Sequence, residues 1–381
     1  MKISCNRELL WSAFQTAALV APARSPKTIL QNVKLEVQEQ SAAFMATDLE
    51  MGIRIQVEGL EVEAPGSVVL PVSRFGSILR ESTDEKLRLE VDAKGVLVRG
   101  DRSRFKLPAQ NPDEFPAVVE FEEEKYHKVS ARLFKELIHR TLFATDTESS
   151  RYALGGVLLE MEANKITAVA TDGRRLAKME GPAESVAGHV TTGETMTIVP
   201  HRSMQLIERA LTETEAEIEV AARPNDVLIR TPKATIYSRL VEGRFPKWRD
   251  VFPQRTQAVR IDVQVGPVYS ALRQAAIVTD EESRGIDFQF GAGKLVLVAS
   301  AASGSALAPC EVVVPMTELN VTVPLGGAVD IRQPEAGLIG ARSDPQHRAR
   351  LQLGERRPHL ERGLVVGKGD DNEITHGVIP R

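Results

Sequence analysis

Apolar and polar positions along the chain fall into three similar blocks. The first opens with a predicted helix over about 7–20, where Leu9, Leu10, Phe14, Ala17 and Ala18 make one apolar stripe. The second opens over 130–143 with Leu133, Phe134, Leu137, Ile138 and Leu142 at helical spacing. The third opens over 267–278 with Val268, Leu272, Ala275 and Ala276. Pro267 suits a first helical turn, where a missing N–H loses no bond. Strand patterns follow each helix. Positions 33–37 alternate with period two, 156–160 do so less strictly, and 286–290 with 295–298 supply the third pair. Second helices are predicted over 72–81 and 201–212, opened by Pro71 and Pro200. Strand–turn–strand patterns then lead to Phe115-Pro116 and Phe245-Pro246.

The blocks keep a common step. Ala46-Thr47-Asp48 recurs as Ala170-Thr171-Asp172, and more faintly as Ala299-Ser300-Ala301. Such a period exceeds that of solenoid units, which are too small to fold alone, and matches a whole domain. The expected organisation is therefore a triplicated α+β domain, two helices packed on antiparallel sheets in each copy. Its expected boundaries are 1–126, 127–254 and 255–381. The acidic run Glu120-Phe121-Glu122-Glu123-Glu124 reads as a solvated linker between the first two. The third copy departs from the pattern after about residue 305. Phe290 is the last aromatic residue, and the stretch between Arg332 and Arg362 is rich in arginine and interrupted by Pro334, Pro345 and Pro358. Divergence, disorder and a frameshift all produce such a segment.

Composition narrows the function. The chain is 42% hydrophobic and 26% charged, with a net charge of −4, so the whole surface does not grip nucleic acid, although a local basic face would. Cys5 and Cys310 are too few for a disulfide framework and favour a reducing cytoplasm. The first fourteen residues carry Lys2, Arg7 and Glu8 and no signal core. No run of eighteen apolar residues implies a membrane span. Gly291-Ala292-Gly293-Lys294 lacks the earlier glycine and the following Ser or Thr of a phosphate loop, and reads as a hairpin turn. The seven histidines show no metal-ligand spacing, and no nucleophile elbow is present. Asp48 and Asp172 occupy equivalent places at strand ends, where Asp bonds its own backbone, so a turn role is expected of them. No enzyme, metal or cofactor is expected.

Five segments nevertheless carry a resemblance. They are Ala46-Thr47-Asp48-Leu49-Glu50, Ser103-Arg104-Phe105-Lys106-Leu107-Pro108, Arg151-Tyr152-Ala153-Leu154, Ala170 through Leu176, and Gly243-Arg244-Phe245-Pro246. In order and spacing they resemble the bacterial DNA polymerase III beta subunits, the sliding clamps, over roughly residues 1–305. The resemblance implies a head-to-tail homodimer of six similar domains forming a ring around double-stranded DNA, without sequence preference. Helices line the hole and sheets face out. On that reading basic residues on or beside the helices face the DNA: Arg24, Arg74, Arg80, Lys135, Arg202 and Arg273. The tether raises a polymerase's effective concentration at its template.

The resemblance also implies a groove that takes linear peptides from DNA polymerase and the clamp loader. The matching positions are Leu154, Thr171, Gly173, Arg174, Arg175, Leu176, Pro246 and Val251, with Val378, Ile379 and Pro380 finishing one wall. Two departures stand in it: Asp250 where relatives often carry a basic residue, and Arg174 where His is common. A dimer interface is implied at Phe105 in the first domain and at Ile277 and Val278 in the third. The alternative reading is a degenerate clamp-like protein that binds peptides as a monomer without closing a ring.

Overall fold

The computed structural model describes residues 1–92, 95–108, 110–146, 152–173, 175–191, 196–251, 258–260, 265–279, 285–291, 294–299, 310–315, 328–331, 341–344, 348–352 and 364–365. The chain divides into two compact units. The first comprises 1–138, 158–167 and 180–242, the second 139–157, 168–179 and 243–381.

In the first unit, helices α1 (Arg7–Ala18) and α2 (Val72–Glu81) form where expected. Asn6 caps α1, its side-chain oxygen accepting from the N–H groups of Glu8 and Leu9 at 3.0 and 3.1 Å. The buried stripe of α1 is Leu10, Ala13, Phe14 and Ala17. Leu9 and Ala18 depart from the expected stripe, Ala18 being half-buried, and Leu9 departs furthest. It is exposed and lies over the turn at Gly59, where an added Cβ would fall 2.7 Å from its Cδ1. Phe14 meets Phe44 and Phe75 edge-on, at centroid distances of 5.6 and 5.1 Å. Gly76 lets the two helices approach, since a Cβ there would sit 3.2 Å from the Phe14 ring. Arg7 also donates to the carbonyls of Leu79 and Asp84, closing the C-terminal end of α2.

The second repeat copies this plan. Helix α3 (Ala131–Thr141) buries Phe134, Leu137 and Ile138. Helix α4 (His201–Ala210) stops two residues short of the expected end, where Leu211 caps it. Strands Lys2–Asn6, Leu60–Ala64, Lys86–Asp92, Gly95–Arg99 and Arg104–Leu107 make a five-stranded sheet with the last as one edge. A nine-stranded sheet spans both repeats, joined where Met51–Gln56 pairs antiparallel with Ala234–Arg239, Ile53 opposite Ile236. That fusion is absent from the periodicity of either strand.

The linker differs from the expected solvated run. Phe121 is buried against Ala221, Leu228, Tyr126 and Tyr237, with the Arg230 guanidinium 4.5 Å from its ring centre. Glu120 pairs with Arg54 at 3.1 Å, and Glu123 with Arg223 at 3.1 Å. The run alternates because one ring plugs the sheet while its neighbours take cations.

The second unit contains helices α5 (Trp248–Val251) and α6 (Val265–Ala275), the latter burying Val268, Ala271, Leu272 and Ala275. Strands Gly285–Gly291 and Lys294–Ala299 pair up to Gly291 opposite Lys294, the spacing of a two-residue hairpin. Strands Cys310–Pro315, Arg348–Gln352 and Ala341–Asp344 complete this five-stranded sheet. Most of the arginine-rich segment and all of 366–381 lie outside the described residues.

Phe121→Ala is expected to destabilise the first unit by about 3 kcal/mol, the usual cost of a large core truncation. Val119→Ala, at a half-exposed position, should cost less than about 1 kcal/mol. Denaturant unfolding of the full chain compares them; equal midpoints would mean that Phe121 anchors nothing.

Candidate functional site

The expected groove residues that the structure describes lie on three of four short segments that meet in the second unit. The first is the turn at Leu142–Ala144, the second the turn at Tyr152–Leu154. The third is the Thr171–Leu176 turn between two strands, and the fourth runs from Gly243 to α5. Asp146 donates its N–H to the Leu154 carbonyl at 2.9 Å, joining the first two. The Arg175 guanidinium stands 5.5 Å from the centre of the Phe143 ring, joining the first and third. Lys178, on the strand Leu176–Pro182 that leaves the third segment, lies 5.5 Å from the centre of Trp248 in the fourth. A Cβ on Gly243 would touch that of Ala153 at 3.5 Å, which closes the circuit.

The third segment owes its shape to two side chains. Thr171, fully buried, donates its hydroxyl to the Arg175 carbonyl at 2.7 Å and accepts from the Gly173 N–H at 3.1 Å. One Asp172 oxygen accepts from the Arg175 N–H at 2.9 Å, and the other from Arg175 Nε at 2.8 Å. Gly173 has φ +83°, a left-handed conformation that costs a side-chain-bearing residue about 1–2 kcal/mol. Arg175 is thus held at its backbone and at Nε by Asp172, with the Phe143 ring beside its guanidinium, before any ligand arrives. Leu154 is buried, and Leu176 and Pro246 are half-buried, as apolar walls require. The fourth segment turns sharply, Trp248 donating its N–H to the Pro246 carbonyl at 2.7 Å.

Sequence reasoning missed Phe143 and Trp248, which orient the cations of this circuit. The only signal for them was an aromatic residue beside a matched segment. Asp250 is exposed on α5. Arg174, the Val251 side chain, Val378, Ile379 and Pro380 lie outside the described residues.

The same turn is built in the first repeat. Thr47 donates to the Met51 carbonyl at 2.8 Å, and Asp48 accepts from the N–H groups of Glu50 and Met51 at 3.0 and 2.8 Å. The expected turn role of both aspartates is therefore met. Here Leu49 takes the left-handed place, with φ +78°. The free Asp48 oxygen binds Arg202 at 2.9 Å, and Arg202 also reaches the Val20 carbonyl at 3.4 Å.

Of the residues expected to face DNA, Arg202 is thus engaged at the junction of the two repeats. Lys135 donates to the Leu211 carbonyl at 3.4 Å, at the negative end of α4. Arg80 pairs with its neighbour Glu81 at 2.9 Å, and Arg273 stands 5.9 Å from the Tyr269 ring centre. Arg24 and Arg74 are exposed and form no ion pair among the described residues.

Phe105 is 38% exposed on the edge strand Arg104–Leu107. It lines an open groove of about 630 Å³ with Ser73, Arg74, Ser77 and Ile78 of α2. In the other unit, Ile277 is 78% exposed and Val278 half-buried in the turn Ala276–Val278 that follows α6.

Comparison with known proteins gives these features a family. Residues 1–119 match the DNA polymerase III beta subunit, N-terminal domain, and residues 128–247 match its central domain. The beta sliding clamp of Pseudomonas putida KT2440 is 32% identical over 305 residues, covering 79% of this chain and 81% of that protein. The beta sliding clamp of Escherichia coli K12 is 28% identical over 302 residues, with 79% and 81% covered. The crystal structure of the DNA polymerase III subunit beta from Pseudomonas aeruginosa has a TM-score of 0.69 at 27% identity, covering 83% of this chain and 84% of that one.

Gly173→Val should destabilise the turn by about 1–2 kcal/mol through backbone strain alone. Leu49→Gly, at the equivalent place, should change stability by less than about 1 kcal/mol, because relief of strain and added chain entropy oppose one another. Denaturant titrations read both; a larger loss from the second would mean that Leu49 is needed for its contacts.

Proposed function

The chain belongs to the DNA polymerase III beta subunit family, and from that membership we propose that this sliding clamp encircles duplex DNA as a head-to-tail homodimer. The carrying observation is the ordered match of the N-terminal and central domain models over most of residues 1–247. Relatives of this kind are sliding clamps, not enzymes. On this reading the protein works in the cytoplasm; no helix among the described residues is long and apolar enough to cross a membrane. The three domains are 1–126, 127–254 and 255–381.

Dimer closure would use Phe105 of one protomer against Ile277 and Val278 of the next. The exposure of Phe105 and Ile277 supports this, as does the edge strand that carries Phe105, since such a strand offers unpaired backbone groups to another chain. Arg24 and Arg74 are the exposed cations offered to phosphate, Arg74 lying beside the groove that Phe105 lines, while Arg202 and Lys135 serve the fold as well. The circuit from Phe143 to Trp248 would receive linear peptides from polymerase and clamp loader. Leu154, Leu176, Pro246 and Val251 would supply apolar contact and the prepositioned Arg175 a polar anchor, with Val378, Ile379 and Pro380 completing a wall.

Phe105→Ala combined with Ile277→Ala should shift a dimer to monomer in sedimentation velocity, because interfaces draw most of their energy from a few apolar anchors. Equal dimer fractions at low concentration would refute the interface, and a monomeric unmutated chain would favour the non-ring reading.

The ring itself is tested by loading the protein onto nicked circular DNA with a clamp loader and then raising the salt. A topological link survives salt that abolishes phosphate contacts, and cutting the circle should release the protein. Arg24→Glu with Arg74→Glu should weaken binding to linear duplex and flatten its salt dependence by about one to two phosphates' worth. Salt-resistant binding to linear DNA would contradict encirclement.

A further inference from the structure

The first unit contains a buried pair of titratable groups that the clamp function does not use. His127 lies on the strand Tyr126–Ser130, and His189 follows the edge strand Glu184–Val186 that pairs with it. Both are almost completely buried, and their Nδ1 atoms are 2.6 Å apart. The outer nitrogens are also engaged. Nε2 of His127 is 2.8 Å from the Glu162 carbonyl. Nε2 of His189 is 3.1 Å from the Ala222 N–H and 3.2 Å from the Ala222 carbonyl.

These contacts admit one neutral arrangement. A carbonyl only accepts, so His127 carries its proton on Nε2 and leaves Nδ1 as an acceptor. His189 must then donate from Nδ1, and its own Nε2 accepts from Ala222 N–H. The result is an unbroken relay from Ala222 through His189 and His127 to Glu162. One added proton on His189 would orphan the Ala222 N–H, though the Ala222 carbonyl would accept the new donor. A second, on His127, would set one N–H against another at the shared contact.

The pair holds a strained element. The turn after the edge strand has two successive positive φ values, +52° at Ala187 and +72° at Gly188. Alanine pays for that conformation. The turn is closed by His189 N–H to the Val186 carbonyl at 3.2 Å and by Ser185 Oγ to the His189 carbonyl at 2.6 Å. Neighbouring charges do not neutralise the pair. Glu123 and Lys125 act on His189 in opposite senses. Arg223 is occupied by Glu123 and Asp226, and the Glu162 carboxylate by Lys165. Glu184 and Lys128 face each other in register on the two strands, and Glu219 takes Arg230.

We propose that the His127–His189 pair is an acid-sensitive fastener: protonation of the pair releases the strand Glu184–Val186 and its turn, and uncovers Tyr126–Ser130 as a new sheet edge. Burial pushes both imidazoles below the usual histidine range, against the opposing effect of their backbone partners. The opened state therefore binds more protons than the closed one. The fastening is complete above the ordinary histidine value of about 6.5 and is lost as pH falls below it, toward the depressed closed-state values.

Amide exchange of the full chain at residues 184–191, corrected for intrinsic rates, tests this between pH 7.5 and 5.5. Protection should fall about tenfold if one proton is taken up on opening, and about a hundredfold if two are. His139→Gln, at an exposed position, should behave as the unmutated chain. His189→Gln should lose most of the pH dependence. Protection that is constant with pH in the unmutated chain, or an unaltered pH dependence in His189→Gln, overturns the proposal. If the variant does not fold, the imidazole resonances of the unmutated chain decide. Two rings titrating near 6.5 without loss of edge-strand protection would overturn it, whereas titration below that value together with loss of protection would support it.

Discussion

The pairing of Met51–Gln56 with Ala234–Arg239 is the constraint on which the first unit depends. Either strand alone would end its own repeat's sheet as an open edge, with unpaired backbone groups exposed to any extended chain. Joined, they remove two edges at once and bury Ile53 and Ile236 opposite each other. The register also places Ser238 opposite Met51, and both side chains meet Ser203 at the start of α4. Beside them Asp48 takes Arg202. The junction therefore has a backbone layer that sets direction and a polar layer that fixes the helices against it. An exposed ion pair adds little energy of its own, but this one is seated on a carboxylate already fixed by two backbone bonds.

Duplication lets one turn serve two ends. In both repeats a threonine and an aspartate close the same loop through their own backbone, which satisfies groups that a strand end would otherwise leave unpaired. That leaves one carboxylate oxygen to spare. In the first repeat it reaches across to Arg202 and joins domains. In the second it turns back on Arg175 and stiffens a side chain of the candidate peptide site. The left-handed residue differs too: leucine beside the junction, glycine at the site. A shared scaffold thus joins repeats in one copy and holds an arginine of the candidate site in the other through single contacts, with no new element.

Helices were legible because burial on one face leaves a periodic trace, and α2 begins and ends where the pattern placed it. Leu9 misled because a leucine at helical spacing counts as core even when it shields a neighbouring turn. Phe121 was hidden inside an acidic run, since charge statistics describe the neighbours and not the ring between them. The His127–His189 contact joins residues 62 apart in sequence, and no local pattern records such a pair. The inter-repeat strand pairing was invisible for the same reason. Three of the four segments of the candidate groove were recognisable alone, whereas the turn bearing Phe143, and Trp248, gained meaning only when the segments closed into a circuit.

The distribution of charge bears on how a protein of net charge −4 would hold DNA. Many of its cations are occupied within the fold. Arg54 bridges Glu36 and Glu120, Arg223 bridges Glu123 and Asp226, and Lys233 lies between Glu58 and Glu213. A protein that grips duplex by phosphate contact alone needs such groups clustered and unoccupied, and although it can slide it is released once salt screens those contacts. A closed ring is freed from that need, since topology retains the DNA whatever the strength of the contacts. Weak, screened contacts then become an advantage, because they lower the barrier to sliding. Lysines and arginines can accordingly be committed to holding the fold in register, leaving a few exposed, such as Arg24 and Arg74, which on the proposed function would meet the DNA. On the proposed function, the rigidity of the frame, more than the charge of its surface, is what keeps the clamp on its template.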